Sequence, residues 1–258
     1  MTALLARHRG LLALSAREAD RVLKLWSQTI VAPVLASFLF IVVFGLSLGG
    51  RIRQIGGVDY DVFIVPGLLT MAMAQAAYSN NSSSVFQSRA DRYINDVLSA
   101  PMRPWEVQLG LSFGGVLRAL AIGAGLLLLA LPVTGVPISH PFELALAVAL
   151  VLVLFASLGV IVGVYAETWD QAGFVNNIVI LPLSFLGGVF YSVDLLPSPW
   201  HELSHVNPIF FLINAVRYGF LGTSDVPVGI ALAVTGALAL VCVLWCGAMF
   251  RSGRRLKA

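Results

Sequence analysis

The chain has 258 residues, 58% of them hydrophobic and only 11% charged, whereas a soluble domain carries roughly a quarter charged residues. That surplus cannot fill one core and still leave an outside for water, which excludes a soluble globular domain and makes lipid the expected solvent. The net charge of +3 does not point to nucleic acid, because the basic residues stand in short blocks beside apolar runs, as membrane topology requires.

The polar N-terminal stretch of some 25 residues lacks a small-residue cleavage site and is expected to be retained and cytoplasmic. Within it, residues 11–26 place Arg17, Asp20, Arg21 and Lys24 on one helical face, with Leu11, Leu14, Ala19, Val22 and Trp26 on others. This pattern predicts an interfacial helix, with Trp26 at headgroup level.

Runs free of Asp, Glu, Lys and Arg then set the spans. Five such runs, with a sixth segment broken only by Arg118, predict an all-α membrane protein with six transmembrane helices, near 28–48, 62–82, 107–131, 143–164, 172–190 and 228–250. Placing the N-terminus inside puts Arg7, Arg9, Arg17, Arg21, Lys24, Arg89, Arg92, Arg103, Arg251, Arg254, Arg255 and Lys257 on the inner side. Only Arg51, Arg53 and Arg217 fall outside, so the positive-inside bias predicts that both termini are cytoplasmic.

Between the second and third spans, residues 87–105 form the largest polar interruption on the inner side. Tyr93, Ile94, Val97 and Leu98 make an apolar stripe there at helical spacing, beside Arg92, Asn95 and Asp96, until Pro101 and Pro104 stop the helix. Such a stripe is expected to need a cover, either the membrane surface or a partner protein. Beyond the fifth span, Gly187, Gly188, Pro197, Pro199 and Pro208 break a moderately apolar stretch. It reads as one or two short helices dipping back into the outer leaflet between spans five and six, with Trp200 and Tyr218 near the interface.

The chemistry-bearing residues are few. A phosphate-binding loop needs a lysine after a glycine-rich turn, but Lys24 follows Leu23 and Lys257 follows Leu256, so neither serves. The acidic residues Glu106, Glu143, Glu167 and Asp170 stand at span borders, which disfavours an ion-driven carrier. No metal-ligand spacing is present, and Cys242 and Cys246 read as small buried hydrophobes. Arg118 is the one charge inside a span and is expected near the midplane. It either lines a path for an anionic or polar headgroup, or hydrogen-bonds Asn176, Asn177 or helix carbonyls. Gln75, Asn176 and Asn177 are the other polar groups at membrane depth, where interhelical packing is their expected role and path lining the alternative. Phe185, Phe190 and Tyr191, at the outer end of the fifth span, complete the candidate path. Gly110 with Gly114, and Gly159 with Gly163, permit close helix approach.

The segments FIVPGLL at 63–69, DVLSAPMRPWEVQLG at 96–110 and GGVFYSVDLLPSPWHELSHVNPIFFLINAVRYGFLG at 187–222 resemble those of the type-2 ATP-binding-cassette (ABC-2) export permeases. The resemblance runs nearly the whole chain and is strongest to the YadH-type and nodulation-factor-exporter-like subgroup. It implies one permease domain over residues 1–258, forming a homodimer or pairing with a close paralogue, and binding two copies of a cytoplasmic ATPase. ATP and Mg would be held by that ATPase, with no cofactor, metal or catalytic residue in this chain. Residues 11–26 would be the connector helix, 187–222 the re-entrant helices, and 90–104 the coupling helix. Arg92, Tyr93, Ile94, Asp96, Val97, Leu98 and Pro101 would then be the coupling residues. The family often begins the coupling segment with glutamates, whereas this chain reads SRADRY. The implied activity is export of an amphipathic or lipid-like substrate from the cytoplasm or inner leaflet of a bacterial inner membrane. The competing readings are an ATP-independent secondary transporter or channel, and a membrane-embedded enzyme or scaffold.

Overall fold

The computed structural model describes residues 8–49 and 54–253. Arg7, Arg51, Arg53, Arg254, Arg255 and Lys257, which entered the orientation count, lie outside the described residues. Among the described residues five helices are long and apolar enough to cross a membrane.

Helix α1 (Arg9–Lys24) buries Leu14, Glu18 and Val22, which recur every four residues and so share one face. That face lies on glycines of a later helix: a Cβ added at Gly110 would stand 2.6 Å from the Leu14 Cδ2, and one at Gly114 would stand 3.0 Å from the Glu18 Cβ. A wide π-turn, Ser27–Val31, leads into α2 (Ala32–Gly49). A hairpin outside the all-helical expectation follows, with β1 (Gln54–Ile55) and β2 (Val58–Asp59) antiparallel and Ile55 opposite Val58. Gly56 and Gly57 take positive φ between them, the geometry a tight two-residue hairpin turn requires.

Helix α3 (Tyr60–Ala90) is the axis of the bundle, with 83% of its most apolar stretch buried against 17% for α2. It continues well past the expected end at 82 because the polar residues Asn80, Asn81, Ser82, Ser84 and Ser88 are buried in the protein and not in water. Short α4 (Ile94–Ser99) precedes α5 (Pro104–Thr134) and α6 (Pro141–Tyr165). Pro104 opens α5 where a missing N–H is harmless, and the Glu106 carboxylate accepts the Arg103 N–H at 2.6 Å. α6 runs parallel to α3 at close quarters. A Cβ at Gly159 would meet the Tyr78 carbonyl oxygen at 2.5 Å, and one at Gly163 the Ser82 carbonyl oxygen at 2.7 Å.

The fifth expected span, 172–190, takes a different form. α7 (Trp169–Phe174), a π-turn at Val175–Ile180 and α8 (Leu181–Leu186) follow one another without a break, and the chain turns at Gly187. The Asp170, Gln171, Asn176 and Asn177 side chains lower its hydropathy, and it is not among the five long apolar helices. Beyond it come a 3₁₀ turn (Val193–Leu195), α9 (Trp200–Val206) and α10 (Pro208–Leu221), then α11 (Val228–Ser252). Asn207 separates α9 from α10. Its side-chain oxygen accepts the Ile209 N–H at 3.0 Å while its amide donates to the Leu183 carbonyl at 2.6 Å.

Candidate functional site

The second π-turn borders a cavity through Asn176, and the first is tied to it through Arg118. A wide turn displaces backbone carbonyls from the i→i−4 ladder and leaves them free to accept side chains. In the first, the Thr29 carbonyl accepts a hydrogen bond from Arg118 Nε at 2.9 Å. In the second, Asn176 turns toward the same space. The cavity, of about 390 Å³, is lined by polar Arg118, Gln75, Asn176, Ser37 and Ser79 and by apolar Phe40, Met71, Leu181 and Phe185.

Four residues of the expected path, Gln75, Arg118, Asn176 and Phe185, therefore line one cavity. Phe190 packs just beyond it, with ring centroids 4.9 Å from Phe44, 5.7 Å from Phe185 and 6.4 Å from Phe40. Tyr191 and Asn177 do not line the cavity. The Tyr191 hydroxyl donates to the Leu186 carbonyl at 3.3 Å, and exposed Asn177 accepts from the Asn176 amide at 3.1 Å. Arg118 bonds neither asparagine. Its Nε instead reaches a backbone carbonyl, that of Thr29, in the first turn of the candidate span Ser27–Gly45.

The 90–104 segment departs further from expectation. Only Ile94–Ser99 is helical, and the apolar stripe is covered by the chain itself. Ile94 is fully buried, while Val97 and Leu98 pack on a cluster of Leu14, Val107, Leu111, Val164, Met249 and Phe250. A six-residue helix beside a bundle gains more from that apolar surface than from water. Tyr93 is half-buried beneath Arg17, whose guanidinium carbon lies 4.8 Å above the ring, and burial pushes its hydroxyl above the ordinary phenol range. The outward face is polar instead: Arg92, Asn95, Asp96, Ser99, Pro101 and Arg103 are exposed. Arg92 carries a left-handed backbone (φ +62°) that ends α3 sharply.

Two polar networks were not singled out from the sequence. Asn81, on α3, donates to the Ala156 carbonyl at 3.0 Å and accepts the Gly115 N–H at 3.0 Å, so one side chain joins α3, α5 and α6. Glu18, 1% exposed, accepts from Ser84 and pairs with Arg17 at 2.8 Å and Arg21 at 3.2 Å. In the second network Arg217, counted above as an outer charge, is fully buried. It lies 4.1 Å over the Phe63 ring, donates to the Gly188 carbonyl and faces Asp225 at 3.6 Å. Asp225 in turn accepts from Ser192 Oγ at 2.8 Å and the Val193 N–H at 3.0 Å. The only sequence signal for these networks was polarity inside otherwise apolar runs, the SNNSSS stretch at 79–84 above all.

The ABC-2 type transporter family matches residues 9–221. The inner membrane transport permease YadH of Escherichia coli (strain K12) is 39% identical over 245 residues, covering 94% of this chain and 95% of that protein. Nodulation protein J of Rhizobium leguminosarum bv. trifolii is 28% identical over 229 residues, 85% of this chain and 84% of the relative. Its counterpart in Rhizobium meliloti (strain 1021) is 26% identical over 236 residues, 90% of this chain and 89% of the relative. The chain belongs to the ABC-2 type transporter family and is a multi-pass protein of the bacterial inner membrane.

Proposed function

We propose that this chain is the transmembrane permease subunit of an ATP-driven exporter, moving an amphipathic or lipid-like molecule out of the cytoplasm or inner leaflet. The observation that carries the reading is the cavity: polar Arg118, Gln75 and Asn176 line the same space as apolar Phe40 and Phe185, with Phe40, Gln75 and Arg118 on helices of membrane-spanning character. Mixed lining of this kind suits a solute with a polar and an apolar end. Neither Lys24 nor Lys257 belongs to a phosphate-binding loop, and the family implies association with an ATP-binding-cassette ATPase. Energy would therefore enter from another chain.

In this reading the run Trp169–Leu186 is the sixth crossing. Its 18 helical residues at 1.5 Å each reach about 27 Å, close to the ~30 Å of hydrocarbon. The end of the bundle holding Arg9, Arg17, Arg21, Lys24, Arg89, Arg92, Arg103 and Arg251 faces the cytoplasm, with both termini, and α1 is the interfacial connector. α9 and α10 are the re-entrant helices of the outer side. Asn177 is exposed on a helix at membrane depth, and lipid would not satisfy it. A second copy against that face would, with the path between the copies. Two ATPases would dock on the polar outward face of α4 and the turns beside it, around Arg92, Asp96 and Pro101. ATP binding to their closed state supplies the shift.

The deciding experiment is co-expression with the cassette ATPase of the same operon, followed by reconstitution in proteoliposomes. Co-purification of the two chains, with ATP hydrolysis raised by an amphipathic solute, is the expected result. Transport by the permease alone would establish the ATP-independent carrier or channel instead.

A further inference from the structure

Arg118 is held by one atom only. Its Nε is committed to the Thr29 carbonyl, while neither terminal amino group makes a hydrogen bond among the described residues. The ion pairs among the described residues do not include it. Arg21, a second cation, has its own partners in Glu18 and the Asn80 carbonyl. The fork is thus fixed in direction and open toward the cavity. Of the other polar atoms on this cavity, Gln75 Nε2 is a buried donor and Asn176 Oδ1 a buried acceptor, each without a partner among the described residues, and Ser37 and Ser79 border it. A guanidinium with no carboxylate partner, its terminal donors open to a pocket among apolar helices, suits an anion. Its planar pair of terminal donors matches two oxygens of a carboxylate or phosphate. The apolar lining residues Phe40, Met71, Leu181 and Phe185 offer nothing to a charge and suit an acyl or aryl limb.

We infer that the cavity is a binding site for acidic amphipaths, in which Arg118 and Gln75 hold a carboxylate or phosphate monoester and Phe40 and Phe185 take one apolar limb. This rests on the permease reading for its place in a transport cycle but not for binding itself. The ligand could be a bilayer lipid or a soluble organic acid, since both present the same anionic head on an apolar limb.

The test is equilibrium binding of radiolabelled dodecyl phosphate to the full-length chain in phosphatidylcholine nanodiscs, with empty discs subtracted. Saturable binding of about one molecule per chain is expected, with dodecanol and dodecyltrimethylammonium failing to compete and inorganic phosphate competing at least 100-fold more weakly. Arg118→Gln should weaken binding tenfold or more and Gln75→Ala several-fold, while Arg118→Lys retains part of it. Unchanged thermal melting of Arg118→Lys and Gln75→Ala excludes a folding effect. Equal binding by wild type and Arg118→Gln, or equal competition by the cationic amphipath, would overturn the inference. Repeating the measurement in discs containing phosphatidic acid, itself a phosphate monoester, separates the sources: lost probe binding marks a bilayer lipid as occupant, and retained binding marks a soluble acid. Stimulation of the co-purified ATPase by a neutral amphipath, with no dodecyl phosphate binding, would sink the acidic site and leave the permease reading standing. Dodecyl phosphate binding without any ATPase assembly would do the reverse.

Discussion

Ser84, on the central helix α3, donates its hydroxyl to the buried carboxylate of Glu18 on α1 at 2.8 Å. This bond ties the amphipathic N-terminal helix to the axis of the bundle, at the end where the 90–104 segment packs. Removing the hydroxyl leaves a carboxylate lone pair unsatisfied in a buried place, a loss of about 1–3 kcal/mol. Ser84→Ala should therefore lower the thermal midpoint in detergent. Glu18→Ala should lower it further, because Arg21 loses its carboxylate too. A midpoint unchanged in both variants would show that α1 is held by its apolar contacts alone.

Side chains at Gly159 and Gly163 would meet backbone, which cannot yield as a flexible side chain can. Replacing Gly by Ala within an exposed helix gains about 1 kcal/mol from propensity. At these two positions overpacking of about 1–3 kcal/mol opposes that gain. Gly159→Ala and Gly163→Ala are expected to melt earlier than wild type, and Gly163→Leu to fail to accumulate. Melting of Gly229→Ala, a helical site with open space around it, provides the control.

The Arg217–Asp225 pair should respond asymmetrically. Asp225→Ala strands a fully buried guanidinium, for which a loss of about 3–5 kcal/mol is typical, whereas Arg217→Met removes the charge and keeps an apolar stem over Phe63. The expected order of stability is wild type, then Arg217→Met, then Asp225→Ala, with part of the Asp225→Ala deficit recovered in the double variant. Differential scanning fluorimetry reads this order directly. Equal loss in both single variants would mean that the Ser192 and Val193 bonds to Asp225 dominate.

On α4 the two faces should separate folding from assembly. Ile94→Asp buries a charge beneath the bundle and is expected to destabilise the chain itself. Asp96→Lys changes an exposed position, where substitutions stay within about 0.5 kcal/mol. If the outward face docks the ATPase, Asp96→Lys reduces co-purification at an unchanged melting temperature. Retained assembly in Asp96→Lys and in Arg92→Glu would move the docking surface elsewhere.

Charge-free runs made the long helices legible, since a 25-residue stretch such as 141–165 with one border glutamate has few alternatives to a span. Periodicity found the stripe of Ile94, Val97 and Leu98, but periodicity reports only that a face is apolar and not what covers it. The cover comes from Leu14, Val107 and Met249, all distant along the chain. Arg217 was counted as an outer charge because its sequence neighbours are those of a span border. Phe63, Gly188 and Asp225 enclose it only after folding. The cavity was legible in part: Gln75, Arg118 and Asn176 stood out as polar groups in apolar runs, while Ser37, Ser79 and the two π-turns carried no signal of their own. Small hydroxyls are too common in spans to mark a site, and a one-residue widening of a helix leaves the hydrophobic period almost unchanged.

Helix α3 has the lowest hydropathy of the five long helices and is the most enclosed of them. Its Asn80–Ser84 stretch is welcome against the glycine faces of α5 and α6 but not against acyl chains. During synthesis it leaves the ribosome before either of those helices exists. Partition into lipid therefore favours α2 and penalises α3, so α3 has reason to linger in the aqueous translocation channel until residues beyond 163 have followed.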